Sequence, residues 1–411
     1  MTRYTADVLI VGGGFVGMTL ASALSKAGLT TVLVDREKAE ASLGSQADGR
    51  ASAIAFGSAQ VLRGVGVFER LEPDAEPILD IRVSDRDSPL FLHYDHRELA
   101  GRISADGVPP FGYIIENRHI LAALHRHLGD LANVKAIRGV TVSELTRGPG
   151  GVTACLSDGT EIEASLVAAA DGRNSALRRD AGIPVARWGY GQTAIVLTVA
   201  HEKPHRGVAH ERFLPAGPFA ILPMRGNRSS IVWTERTELV PPILRLDEAA
   251  FAAQLHRRFG DFLGRIEPVG PRWSYPLGLL HADRYVDERL VLVGDAAHAI
   301  HPIAGQGLNL GIRDVAALAE VLCDAKRLGL DIGARDVVER YQRWRRFDSF
   351  VLIAATDSLN RLFSNDIAPV QLVRDIGLAA VNRAPPLKRL FMRHAMGIVG
   401  ELPRLVRGEA L

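Results

Sequence analysis

Hydrophobic positions in this chain fall into runs of different period. Short, β-branched-rich apolar blocks at Ala6–Val11, Thr31–Val34, Leu166–Ala170 and Leu290–Val293 predict buried parallel strands. Each block runs into glycine or an acid: Gly12-Gly13-Gly14, Asp35, Asp171-Gly172 and Gly294-Asp295. Helical spacing predicts helices over Phe15–Ala27, which Gly28 closes, and over Glu248–Phe259, Ala316–Cys323 and Val337–Leu362. A small-residue helix is expected over Ala51–Leu62. Another helix follows Asn117 as its cap, with Ile120, Leu121, Leu124 and Leu128 at helical spacing. Paired strands are expected within Ile78–Asp95, and a hairpin over Val140–Glu163 turns at Asp158-Gly159. Further strands are predicted at Ala194–Ala200, His210–Phe213, Ala220–Pro223 and Ser230–Thr234, after which Trp273–Leu280 returns the chain to the nucleotide-binding fold. The pattern predicts an α/β protein. A discontinuous, Rossmann-like dinucleotide-binding domain (1–75, 100–182 and 276–345) carries an inserted mixed-sheet domain (76–99 and 183–275) and a helical carboxyl-terminal region (346–411).

Composition changes this picture little. The 411 residues are 47% hydrophobic and 23% charged with a formal net charge of +2, ordinary values for a globular enzyme. No basic run interleaved with aromatics suggests nucleic acid. The two cysteines, Cys155 and Cys323, lie far apart inside predicted elements and read as small core residues. Val8–Ser25 is uncharged, and Ala21-Ser22-Ala23 resembles a signal-peptidase site, but glycines break the run and Asp7 precedes it. A strand–turn–helix explains it better, so a cytoplasmic protein without a membrane span is expected. Pro385–Val399 sets Leu387, Leu390, Phe391 and Ile398 on one side and Lys388, Arg389 and Arg393 elsewhere. Such a helix docks on the domain or lies on a membrane surface.

The candidate chemistry sits at the strand ends. Gly12, Gly14 and Gly17 satisfy G-x-G-x-x-G between a strand and a helix, with Asp35 about twenty residues on. In that context Gly12 makes the tight turn, Gly14 admits a pyrophosphate, Gly17 permits close packing, and Asp35 accepts ribose hydroxyls. The helix amino terminus adds N–H donors and positive dipole. Asp48-Gly49-Arg50 and Arg118 place cations where a diphosphate or ribityl chain could meet them; a surface salt bridge is the alternative for Arg50. Asp171-Gly172 repeats the strand–acid–glycine junction. Gly294-Asp295 opens a third, followed by a loop rich in Pro, Gly, Gln and Asn (Pro302, Gly305, Gln306, Gly307, Leu308, Asn309). His298 and His301 are spaced H-x-x-H without a third ligand and are expected to shape this loop, so no metal is expected. His93 and His96 read as surface positions.

In order and context, these three junctions resemble the single-component flavoprotein monooxygenases typified by para-hydroxybenzoate hydroxylase. HPIAGQGLNLGIRD, Glu116-Asn117 before a helix and Asp48-Gly49-Arg50 look most like the ubiquinone-biosynthesis hydroxylases. The resemblance covers most of the chain and is weakest in the middle sheet domain. It implies FAD, with the ADP half on Gly12, Gly14, Gly17, Asp35 and Arg36. Arg50 and Arg118 would lie near the diphosphate, Asp171 and Gly172 in a second FAD and donor signature, and Gly294 and Asp295 at the ribityl chain. Pro302 and Gly305 to Asn309 would lie toward the isoalloxazine. It further implies NAD(P)H as a transient co-substrate and a flavin hydroperoxide that hydroxylates an electron-rich ring, with no triad. The implied substrate is a lipophilic polyprenylated phenol between the flavin and a strand bearing Phe219, Ile221 and Pro223. Peripheral membrane contact, a homo-oligomer and a multi-enzyme complex are the implied associations. A hydroxylase of soluble aromatics, a flavin-dependent isoprenoid reductase and a non-enzymatic FAD-stabilised subunit stay open as alternatives.

Overall fold

The computed structural model describes residues 2–38, 49–86, 88, 91–99, 107–301, 303–363, 374, 377 and 379–411. Asp48 and Pro302 lie outside the described residues. The predicted buried strands assemble into one sheet in the order Val286–Asp287, Leu290–Leu292, Glu161–Ala169, Arg3–Val11, Thr31–Asp35, Val134–Arg138. The last five of these strands pair in parallel. Their apolar runs are buried in the main core, where the Phe15–Lys26 helix packs on the Arg3–Val11 and Thr31–Asp35 strands and the Gln306–Arg327 helix packs against that helix. Parallel pairing puts every strand–acid junction at one carboxyl edge.

A second sheet runs His298–Ala299, Ile266–Ala282, Val185–His201, Arg228–Arg236, Gly217–Met224, Val208–Leu214, Asp80–Asp85, Phe91–Asp95. It unites the two stretches expected for the inserted domain. The Ile266–Ala282 strand runs through the expected boundary at 276 and pairs with His298–Ala299, so the two units share backbone hydrogen bonds there. One face of this sheet buries Phe219, Ile221, Ile231 and Trp233 against Phe251, Leu255 and Phe259 of the Glu248–Phe259 helix. The opposite face carries Ala209, Phe213 and Met224 and shares an apolar cluster with Phe111, Ile114 and Ile303.

Several local expectations change. Ala51–Ala55 is a strand and only Phe56–Gly64 is helical. Small residues permit either state, and pairing with Gly112–Glu116 decides for the strand. Asn117 is the first helical residue rather than the cap, and its side chain accepts from Ser52 Oγ at 2.6 Å. The helix expected from Ala316 begins at Gln306, so Gly-Gln-Gly-Leu-Asn-Leu-Gly forms a helix entry rather than a loop. The helix expected over Pro385–Val399 ends at Ala395 and docks through Lys388, paired with Glu98 at 2.6 Å, and Met392. Its Leu387, Leu390 and Phe391 are left exposed. No helix among the described residues is long and apolar enough to cross a membrane.

Candidate active site

The glycine turn is built by close approach. Gly12 has φ +112°, and a Cβ there would fall onto the Ala170 carbonyl of the neighbouring strand. A Cβ on Gly17 would fall onto the Gly12 carbonyl oxygen, which lets the helix sit directly on the turn. At Gly14 nothing lies within 4 Å of where a Cβ would stand. The Phe15–Lys26 helix starts there with no side-chain cap and no acid in its first turn. Free helix N–H groups beside open space form an anion site of pyrophosphate character. Asp35 receives the Gly13 N–H on Oδ2 and the Glu37 N–H on Oδ1 at 2.6 Å, which fixes the acid against the turn. Arg36 is exposed beside it.

The second and third junctions adjoin the first because their strands are neighbours. Asp171 Oδ2 accepts from Ala176 N at 2.8 Å, while Oδ1 is buried without a hydrogen-bond partner among the described residues. Gly172 turns the chain at φ +81°. Arg178, on the short helix that follows, is buried and joins the two junctions. Its guanidinium donates to the Ala296 carbonyl at 2.8 Å and the Arg173 carbonyl at 3.0 Å. Asp295 is exposed at the Leu290–Leu292 strand end. Desolvation raises its carboxyl pKa, against the pull of Arg173, His298 and Arg50. Arg50 is exposed and stacks 4.5 Å over the Tyr275 ring. Arg118 is half-exposed and paired with Glu116 at 2.8 Å.

Glycines also shape the motif that follows. Gly294 (φ +63°) and Gly311 both crowd Val16, bringing the Gln306–Arg327 helix against the Phe15–Lys26 helix. Gly305, at φ +62°, opens this helix without a side-chain cap, so its first-turn N–H groups point toward the helix entry. Asn309 is used internally. Its Oδ1 accepts from Ala55 N and its Nδ2 donates to the Ala53 and Gly305 carbonyls, each at 2.8 Å.

A buried charge network beneath this entry is absent from the sequence reading. Asp314, fully buried, accepts from Gly294 N at 3.1 Å and Arg345 Nε at 2.8 Å, and pairs with His298 Nε2 at 2.6 Å. Arg345 also reaches Asp348 at 2.6 Å. The only sequence hint was the acid closing HPIAGQGLNLGIRD. Histidine 301 is wholly buried, its ring 5.1 Å from that of Tyr190, and desolvation lowers its pKa to about 4. His298 thus anchors the loop, while His301 packs edge-on against an aromatic. His93 lies 3.3 Å from Asp80, and His96 Nδ1 is 2.8 Å from the Leu79 carbonyl, so neither is the isolated surface position expected.

The substrate-side expectation changes face. Phe219 and Ile221 point into the core under the Glu248–Phe259 helix, and Pro223 shares their parity. Ala220, Leu222 and Met224 alternate onto the face toward the cofactor half.

A family of FAD-binding domains matches residues 5–345. The chain is 55% identical to ubiquinone hydroxylase UbiL of Rhodospirillum rubrum over 99% of its own length and 94% of the relative's. It is 35% identical to the 3-demethoxyubiquinol 3-hydroxylase of Escherichia coli, covering 97% of this chain and all of that one. The chain belongs to the ubiquinone-biosynthesis hydroxylase family of FAD-dependent monooxygenases. Human ubiquinone biosynthesis monooxygenase COQ6 is 31% identical over 95% of this chain and 92% of its own. The p-nitrophenol 4-monooxygenase PnpA of Pseudomonas putida has the same fold, with a TM-score of 0.78 at 22% identity over 96% of this chain and 99% of that one. The family's cofactor fits the residues present. The open side of Gly14, the two uncapped helix entries and the exposed Asp295 carboxylate at the strand end match the anionic and hydroxyl-bearing parts of FAD.

Proposed function

We propose that this monooxygenase hydroxylates the aromatic ring of a polyprenylated phenol in ubiquinone biosynthesis. The observation that carries the reading is the apolar face of the second sheet. Ala209, Phe213, Leu222 and Met224 share one cluster with Ile303, next to the helix entry assigned to the flavin. That gives an electron-rich, lipophilic ring a dry place beside the cofactor. Identity to relatives named as ubiquinone hydroxylases supports the substrate class.

Gly12, Gly14, Gly17, Asp35 and Arg36 hold the ADP half, with Arg50, Arg118, Asp171 and Gly172 around the diphosphate. Gly294 and Asp295 take the ribityl hydroxyls. Bound FAD, reduced by NAD(P)H, supplies the activated oxygen that the protein cannot. The N–H groups of Gln306, Gly307 and Leu308 place helix dipole where negative charge gathers on a reduced flavin. The apolar face excludes water. We further assign the exposed Leu387, Leu390 and Phe391, flanked by Arg389 and Arg393, to a peripheral contact with anionic membrane, where such a substrate resides.

A deletion strain extracted for quinones tests the reading. Accumulation of a prenylated phenol lacking one ring hydroxyl is expected. Normal ubiquinone content, with purified enzyme faster on small soluble phenols, would instead favour a catabolic hydroxylase.

A further inference from the structure

Glu211 lies in the Val208–Leu214 strand, opposite Ala220 of one neighbouring strand and Val83 of the other. It shares a sheet face with Ala209 and Phe213, the face whose cluster contains Ile303. Its chain neighbours point away: His210 packs on Phe262 at 4.6 Å, and Arg212 donates to the Arg258 carbonyl at 2.6 Å. Other charged groups associated with this region are already paired, Asp85 with Arg374 at 2.8 Å and Glu98 with Lys388 at 2.6 Å. Glu211 makes no hydrogen bond or ion pair among the described residues. Its side chain is partly buried and keeps accessible surface. Burial alone pushes its carboxyl up to about 7. A carboxyl held unpaired among apolar side chains is costly to the fold, and a ligand hydroxyl that satisfies it accounts for its retention.

We propose that the Glu211 carboxylate is the catalytic group that accepts the phenolic O–H of the substrate, orienting the ring and taking its proton during hydroxylation. This rests on the aromatic-hydroxylase reading above. The O–H proton passes to Glu211 as the ring donates an electron pair into a new C–O bond at a carbon ortho or para to the hydroxyl. The resulting dienone loses the proton at that carbon and its oxygen recovers the proton from Glu211, restoring an aromatic diol. NAD(P)H supplies two electrons. The O–O bond of O₂ so reduced breaks as the C–O bond forms, one oxygen entering the ring and the other leaving as water, which takes up the proton released from the ring carbon. At neutral pH a carboxyl near 7 is divided between the form that takes the proton and the form that returns it.

The test compares wild type, Glu211→Gln and Glu211→Asp, each loaded with FAD, on a 2-polyprenylphenol in detergent micelles and on small soluble phenols. Hydroxylated product and hydrogen peroxide are measured per NAD(P)H consumed. Glutamine is expected to retain FAD while losing about 100-fold or more in hydroxylation rate, with the reducing equivalents diverted to peroxide. Aspartate should recover part of the coupling. Hydroxylation by Glu211→Gln within about 2-fold of wild type, equally coupled, overturns the proposal. Wild type acting only on soluble phenols would overturn the prenyl-substrate reading alone, and the same comparison on those phenols would still decide Glu211.

Discussion

Removing the Asp314 carboxylate isolates the network beneath the flavin-side helix entry. Asp314 is 0% exposed, Arg345 2% and His298 1%, so no water can replace what is lost. Asp314→Ala strands the Gly294 N–H and leaves His298 without its acceptor. Arg345 keeps only Asp348 at 2.6 Å. Removing one partner of a buried pair costs about 3–5 kcal/mol, because the remaining charge stays buried. An unsatisfied buried N–H costs about 1–3 kcal/mol by itself, and the terms overlap rather than add. A total near 4 kcal/mol corresponds to a fall of about 8–16 °C in melting temperature for a domain of some 150–250 residues. Asp314→Asn should lose less, since an amide oxygen can still accept from Gly294. Burial alone would raise the Asp314 pKa, but His298 and Arg345 outweigh it and hold the carboxyl below its usual range. Its folded pKa is depressed, so its stabilising contribution is complete above the unfolded value of about 4 and is lost as pH falls through the folded value. The assay is thermal unfolding followed by circular dichroism at pH 7 and at stepwise lower pH, with flavin fluorescence read in parallel. An Asp314→Ala protein melting within 2 °C of wild type at pH 7 would refute the network's role.

Further outcomes follow from the same geometry. Gly14→Ala should fold and melt like wild type but retain less FAD on gel filtration, since a Cβ there meets no protein atom and intrudes only on a ligand. Gly17→Ala should lose stability by about 1–3 kcal/mol or more, because its Cβ collides with the Gly12 carbonyl. Asp295→Ala should yield folded protein with a raised Kd for FAD by fluorescence titration; full retention with normal turnover would contradict its assignment to the ribityl chain. Replacing Leu390 and Phe391 with Glu should lower co-sedimentation with phosphatidylglycerol vesicles several-fold and leave turnover on a soluble phenol in place.

The dinucleotide half was legible because its signals are local. A glycine with positive φ, an acid at a strand end and an apolar block reveal themselves within a few residues, so β-strand ends at Gly12, Asp171 and Gly294 could be read off directly. Even there, register was needed to show that Ala170 and Gly12 touch, and pairing with Gly112–Glu116 turned Ala51–Ala55 from helix to strand. The substrate half was not legible, because alternation along a strand gives two faces without saying which one meets the cofactor. Packing of the Glu248–Phe259 helix under Phe219 and Ile221 decided that, and in doing so placed Glu211 with Ala220 on the other side. Likewise Asp314 finds His298, in the His298–Ala299 strand, and Arg345, in a later helix, only across 16 and 31 residues of sequence. The sequence by itself determined the family, the cofactor class and the edge of the sheet where the chemistry occurs. Tertiary structure alone decided which buried charges are paired and which carboxyl is left open, because both depend on contacts between segments distant in the chain.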